Sequence, residues 1–157
     1  KEYPDLDAYD GAMLEALTGS GAELVVLAGF LSLLGPKVVK HFSNRIINIH
    51  PALIPSFCGH GMYGIRPHEA AIKKGVKISG ATVHFVNEHY DEGPILLQKS
   101  IDVLEDDTPE SLQLRIMNEC EQVILPQAIQ LIADGQVCIE DNRTYITKNE
   151  DRTVRSK

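Results

Sequence analysis

The sequence predicts an α/β fold built on a mostly parallel sheet with helices on its faces, and three observations carry that reading. Residues 23–28, Glu-Leu-Val-Val-Leu-Ala, form a short apolar run closed by Gly29, the composition of a strand buried on both faces. Residues 45–50, Arg-Ile-Ile-Asn-Ile-His, form a second strand, stopped by Pro51. Between the two, Gly35-Pro36 opens a short helical segment through Val38, Val39 and Phe42, so strand, helix and strand follow in the rhythm of a βαβ unit.

The remaining elements follow from local signals. With 157 residues, 43% of them apolar, the chain has the size of one domain with its own core, expected over residues 1–147, followed by a charged tail over 148–157. Asp5-Leu6-Asp7 leads into a helix that Gly19 or Gly21 ends. Two prolines and three glycines across residues 51–64 forbid regular structure and mark a candidate site loop. A helix from His68 to Lys74 ends at Gly75, and residues 77–86 form a long strand with Ala81, Val83 and Phe85 on one face and Thr82 and His84 on the other. An acidic, turn-rich loop over 87–94 precedes a further strand over 95–103. Thr108-Pro109 caps the longest helix, whose apolar positions Leu112, Ile116, Cys120, Ile124 and Ala128 recur at helical spacing toward Gly135. Pro126 lies inside it and is expected to kink or split it. One short strand is expected over residues 143–147.

Composition narrows the function classes. A net charge of -7, from 22 acidic and 15 basic residues with no basic block, argues against a surface for nucleic acid or anionic lipid and favours a small-molecule partner. No apolar run reaches the roughly 18 residues of a membrane span, and the N-terminus shows no signal-peptide pattern, so no membrane association and a cytoplasmic location are expected. Cys58, Cys120 and Cys138 lie far apart without a CxxC pair, which fits reduced thiols. His41, His60, His68 and His89 show no metal-ligand spacing and are expected on the surface or at helix ends, and no metal is expected.

Asn48 and His50 flank Ile49 at the end of a strand, so their side chains share a face at its carboxyl end, where open α/β sheets place ligands. Burying such groups unpaired costs about 1–3 kcal/mol each, so they need partners or a substrate. Taken alone the pair fits two roles equally, fixing a turn and a loop or performing catalysis. Asp91 precedes Glu92-Gly93-Pro94, the setting of ordinary turn chemistry. If its loop folds over the neighbouring strand, its carboxylate would raise the pKa of His50 and hold the ring. Residues 59–64, Gly-His-Gly-Met-Tyr-Gly, match the dinucleotide fingerprint formally but follow a proline-containing loop rather than a strand, so a mobile loop over a pocket explains them better.

Four blocks, Leu27-Ala28-Gly29-Phe30, residues 47–55 (Ile-Asn-Ile-His-Pro-Ala-Leu-Ile-Pro), residues 80–86 (Gly-Ala-Thr-Val-His-Phe-Val) and residues 91–98 (Asp-Glu-Gly-Pro-Ile-Leu-Leu-Gln), resemble in order the conserved blocks of the folate-dependent formyltransferases. The resemblance implies a Rossmann-like fold and transfer of a formyl group from 10-formyltetrahydrofolate, as co-substrate, to the amine of glycinamide ribonucleotide in purine synthesis. It implies Asn48, His50 and Asp91 as catalytic groups and folate contacts from Leu31, Ser32, Leu33, Leu34, Asn48, Asn87 and Asp91. It further implies acceptor contacts from Pro51 and Glu121, with Thr82 and His84 in support. One residue is inserted ahead of Glu121, and family members usually carry Met-Arg where this chain has Leu31-Ser32. The family fold begins with strands and a glycine-rich phosphate loop that nothing before Lys1 supplies, so the sheet is expected to lack them. Hydrolysis of 10-formyltetrahydrofolate and folate binding without turnover are the alternatives, and a monomer or homodimer is expected.

Overall fold

The computed structural model describes residues 5–147, so the tail expected over 148–157 lies outside the described residues. In order along the chain come α1 (Leu6–Gly19), β1 (Val25–Ala28), α2 (Pro36–His41), β2 (Ile46–His50), α3 (Arg66–Lys74), β3 (Ile78–Phe85) and β4 (Ile95–Asp102). Then follow α4 (Pro109–Ile116), a π-helical turn (Met117–Glu121), α5 (Gln122–Ala133), β5 (Val137–Glu140) and β6 (Arg143–Ile146).

The α/β class stands, and the main sheet has the order β1-β2-β3-β4. It is mixed rather than mostly parallel: β1 and β2 are parallel, while β3 runs antiparallel to β2 and β4 antiparallel to β3. Only the β1 to β2 connection, through α2, crosses over the sheet in the sense that parallel neighbours need. The chain leaving β2 passes through the 51–64 loop and α3 and re-enters beside β2 from the same end. β5 and β6 form a separate hairpin, and β5 is a strand the sequence reading did not anticipate. Its signal is the two-residue turn Asp141-Asn142, with φ of 48° and 60°, between two short runs.

Two hydrophobic layers sandwich the sheet. Ile47 and Ile49 of β2, with Ala81, Val83 and Phe85 of β3, pack against Leu112, Ile116, Cys120 and Ile124 of the long helical segment. On the opposite face, Ile46 joins Leu34, Val38 and Phe42, covered by Leu14 and Leu17 of α1. Period 2 therefore puts Asn48 and His50 on the same face as Ile46, one and two steps beyond the apolar cover. Polar side chains begin where the α1–α2 layer stops.

Pro126 leaves α5 unbroken, and the irregularity falls upstream as the π turn. The proline ring crowds the carbonyl four residues back, at Gln122, directly after the widened turn.

α1 and α2 are joined by a buried carboxylate. Asp10, 3% exposed, accepts from the backbone N–H of Lys37 at 2.8 Å and of Val38 at 3.2 Å, capping α2 from another helix. A Cβ at Gly35 would overlap this carboxylate, so glycine is required by the close approach. Replacing Asp10 with Ala strands both donors and is expected to cost about 2 kcal/mol, read as a lower urea midpoint at unchanged slope. Asp10→Asn, which keeps an acceptor oxygen, is expected to lose less.

Candidate active site

The antiparallel register pairs Asn48 with His84 and His50 with Thr82, which places all four side chains on one face. Asn48 Nδ2 lies 3.2 Å from His84 Nε2, while His84 Nδ1 lies 2.9 Å from the Phe85 carbonyl. A carbonyl only accepts, so Nδ1 carries a proton. Nε2 is then the nitrogen that changes role: unprotonated it accepts from Asn48, protonated it donates to Asp91 Oδ1 at 3.4 Å.

Asp91 reaches this face because residues 86–94 fold back over the sheet. Gly93 makes the bend possible, since a Cβ there would overlap the Phe85 carbonyl, and Asp91 itself adopts a left-handed φ of 55° that Asp tolerates. Its Oδ2 accepts from the Gly59 N–H at 2.8 Å and stands 3.6 Å from His50 Nδ1. Burial pushes the Asp91 carboxyl up, but the hydrogen bonds from His84 and Gly59 and the charges of His50 and His84 hold it below the ordinary carboxylate range. The other nitrogen of His50, Nε2, donates to the Phe57 carbonyl at 2.9 Å. Burial lowers the His50 pKa, and the Asp91 charge and the Phe57 carbonyl oppose that shift without reversing it. The sequence reading had the direction of the Asp91 effect; the stronger influence of burial needed the fold.

Thr82 anchors the site loop. Its hydroxyl donates to the Ala52 carbonyl at 2.7 Å and accepts from the Ile54 N–H at 3.1 Å and from Gln98 Nε2 at 3.0 Å. Gln98 also donates to the Ile54 carbonyl at 3.0 Å, a clamp the sequence reading left unassigned. Its signal was present, because a polar residue opposite Thr82 on an antiparallel neighbour shares its face.

A cavity of about 770 Å³ opens over this face, lined by Asn48, His50, Pro51, Asp91 and Glu121 and by the glycine-rich residues 59–64. A smaller one, about 60 Å³, adjoins it, with Ser32, Leu33, Leu34 and His84 in its wall, and the two share Phe30, Asn48, Tyr90 and Asp91. Leu31 lines the larger cavity and is exposed. Asn87 lies elsewhere, in a surface depression with Val39 and Lys40, and its side chain accepts from the His89 N–H at 2.9 Å. Burial raises the Glu121 carboxyl above its ordinary value. The sequence reading placed His68 on the surface or at a helix end. It does sit in the first turn of α3, but it is 1% exposed and lines the larger cavity, a position that only the packing of α3 creates. Among the described residues no group of three or more His, Cys, Asp or Glu side chains has the arrangement of a metal site.

A family model described as formyl transferase matches residues 1–129. A phosphoribosylglycinamide formyltransferase, chloroplastic, of Arabidopsis thaliana is 38% identical over 150 residues, covering 96% of this chain and 51% of the relative. The crystal structure of glycinamide ribonucleotide transformylase 1 from Symbiobacterium toebii superposes with a TM-score of 0.85 at 43% identity, covering 93% of this chain and 66% of that one. A formyltetrahydrofolate deformylase from Pseudomonas syringae superposes with a TM-score of 0.79 at 30% identity, covering 88% and 44%. The chain thus spans about half the length of the plant relative it matches.

Two titrations are set by this geometry. Asp91→Asn removes the charge that opposes burial, so the His50 ring protons should titrate at lower pH than in the wild type by NMR. His68 is held to about 4 by burial and by the nearby His50 charge, against an ordinary 6.5. The unfolded chain therefore takes up this proton first, and the stability is present above pH 6.5 and declines as pH falls toward about 4. Thermal unfolding of His68→Leu between those limits should fall less steeply than that of the wild type.

Proposed function

The chain belongs to the formyl transferase family, and from that premise we propose that it transfers a formyl group from 10-formyltetrahydrofolate to the amine of glycinamide ribonucleotide. The observation that carries this reading is the meeting of Asn48, His50 and Asp91 at the wall of the larger cavity, with Asn48 and Asp91 shared by the smaller one. Folate enters from the side of Leu31, Ser32, Leu33 and Leu34, with Asn87 on the flanking loop, and the acceptor occupies the larger cavity against Pro51 and Glu121. A space of about 60 Å³ is too small for a pteridine ring, so loading the folate displaces the Leu31–Leu34 rim, where Leu31 and Leu33 are already exposed.

In the reaction the acceptor amine attacks the formyl carbon, and the carbonyl electrons move onto oxygen. Asn48 Nδ2 and a protonated His50 donate to that oxyanion, which in a water-poor site stabilises it more than water does. The developing negative charge raises the His50 pKa, so the ring keeps its proton while the charge is present and gives it up once the charge collapses. Asp91 removes the amine proton, directly or through a water molecule. Collapse breaks the bond to folate N10, which takes its proton from His50, leaving the formylated acceptor and tetrahydrofolate. These steps use acid, base and oxyanion groups of the chain itself. His50 Nε2 must exchange the Phe57 carbonyl for substrate oxygen, so the 51–59 loop shifts during turnover.

Every group in this scheme comes from one chain, so a monomer suffices and a homodimer is compatible. The reaction is assigned to the cytoplasm, although the plant relative is named chloroplastic. The deformylase likeness raises hydrolysis as a second reading; the lined space beside Pro51 and Glu121 favours an organic acceptor over water.

Incubation with 10-formyltetrahydrofolate, with and without glycinamide ribonucleotide, tests the proposal. Acceptor-dependent turnover is expected, with losses of about 10²–10⁴-fold in His50→Ala and Asp91→Asn and about 10²–10³-fold in Asn48→Ala. Formate released at equal rate without acceptor would move the assignment to hydrolysis.

A further inference from the structure

His68 is the described side chain whose buried polar atoms have no partner: both ring nitrogens are enclosed and neither is hydrogen bonded. A neutral imidazole carries one donor and one acceptor in either tautomer, and leaving such groups unpaired costs about 1–3 kcal/mol apiece. The position is also specific. His68 lines the larger cavity beside Pro51 and Glu121 and is absent from the wall of the smaller one. It stands in the part of the site assigned above to the acceptor, whose wall Leu33 and Leu34 do not share.

We propose that His68 is an acceptor-binding residue, whose ring pairs with an uncharged oxygen of the incoming ribonucleotide, a ribose hydroxyl or the glycinamide carbonyl. The assignment rests on the formyl-transfer reading and specifies one contact of it. Three features support it. The residue sits in the first turn of α3, where its backbone N–H donates to the Ile65 carbonyl at 3.0 Å, so a side-chain rotation without movement of the helix would bring an enclosed nitrogen to a bound acceptor. Burial disfavours the imidazolium, which makes a neutral oxygen a better match than the phosphate. The same cavity wall carries Asn48, His50, Asp91 and Glu121, so an acceptor held at His68 would share one space with the proposed reacting groups.

The test compares wild type, His68→Leu and His68→Gln for steady-state constants with each substrate and for Tm without ligand. For His68→Leu, the KM for glycinamide ribonucleotide should rise about 5–10-fold, the worth of one lost hydrogen bond. The KM for 10-formyltetrahydrofolate should stay within about twofold, and the Tm should equal or exceed that of the wild type, because an unpaired buried polar group has been removed. His68→Gln, which restores a donor and an acceptor, should recover part of the acceptor affinity. An unchanged acceptor KM with a lowered Tm would make His68 a core residue satisfied by internal water, and a selective rise in the folate KM would place it on the other substrate; either overturns the proposal. Wild-type chain that turns over and binds neither substrate would overturn the formyl-transfer reading and this contact with it, whereas active wild type with an unaffected Leu variant overturns this contact alone.

Discussion

The pairing of β2 with β3 is the constraint on which the site depends. Because side chains alternate along a strand, one register sets at once that Asn48, His50, Thr82 and His84 share a face and that Ile47, Ile49, Val83 and Phe85 share the other. A slip of one residue would turn the polar set under α4 and α5 and the apolar set toward the face of the site. The hydrophobic layer therefore enforces the site geometry, since any register that assembles the core also aligns the four polar groups. Asp91 then completes the cluster from a loop whose bend depends on Gly93.

The loops over this face are held by polar groups rather than apolar ones. Thr82 uses its hydroxyl as donor and acceptor at once, with Gln98 bridging to Ile54, and so fixes the start of the 51–64 loop against the sheet. The same loop delivers the Phe57 carbonyl to His50 and the Gly59 N–H to Asp91. Both partners of the buried histidine–carboxylate pair are thus tied to one segment. Movement of that segment would withdraw the Phe57 carbonyl from His50 and the Gly59 N–H from Asp91 together.

Burial and charge oppose each other at His50. Enclosure disfavours the imidazolium, while the Asp91 carboxylate favours it. A ring held in that balance responds strongly to a further negative charge nearby, such as the oxyanion of the proposed reaction. Glu121 shows the complementary case, a carboxyl raised by enclosure with no opposing cation named among its causes, carried by a π turn at the cavity wall.

What the sequence by itself determined was local: α1, α2, β1, β2, β3 and β4 lie close to where periodicity, caps and breakers place them, and Asn48 and His50 are marked by alternation alone. These signals are legible because neighbours along the chain decide them. Tertiary structure decided the sense of β3 and β4, the shift of the helix irregularity from Pro126 to residues 117–121, and the existence of β5, since each depends on packing partners distant in sequence. It also decided that Asp91 serves the cluster rather than only its turn, that Gln98 clamps the loop, and that His68 is buried against the cavity. A residue's partners and its dielectric surroundings come from chain segments tens of residues away, and no pattern within one strand or helix encodes them.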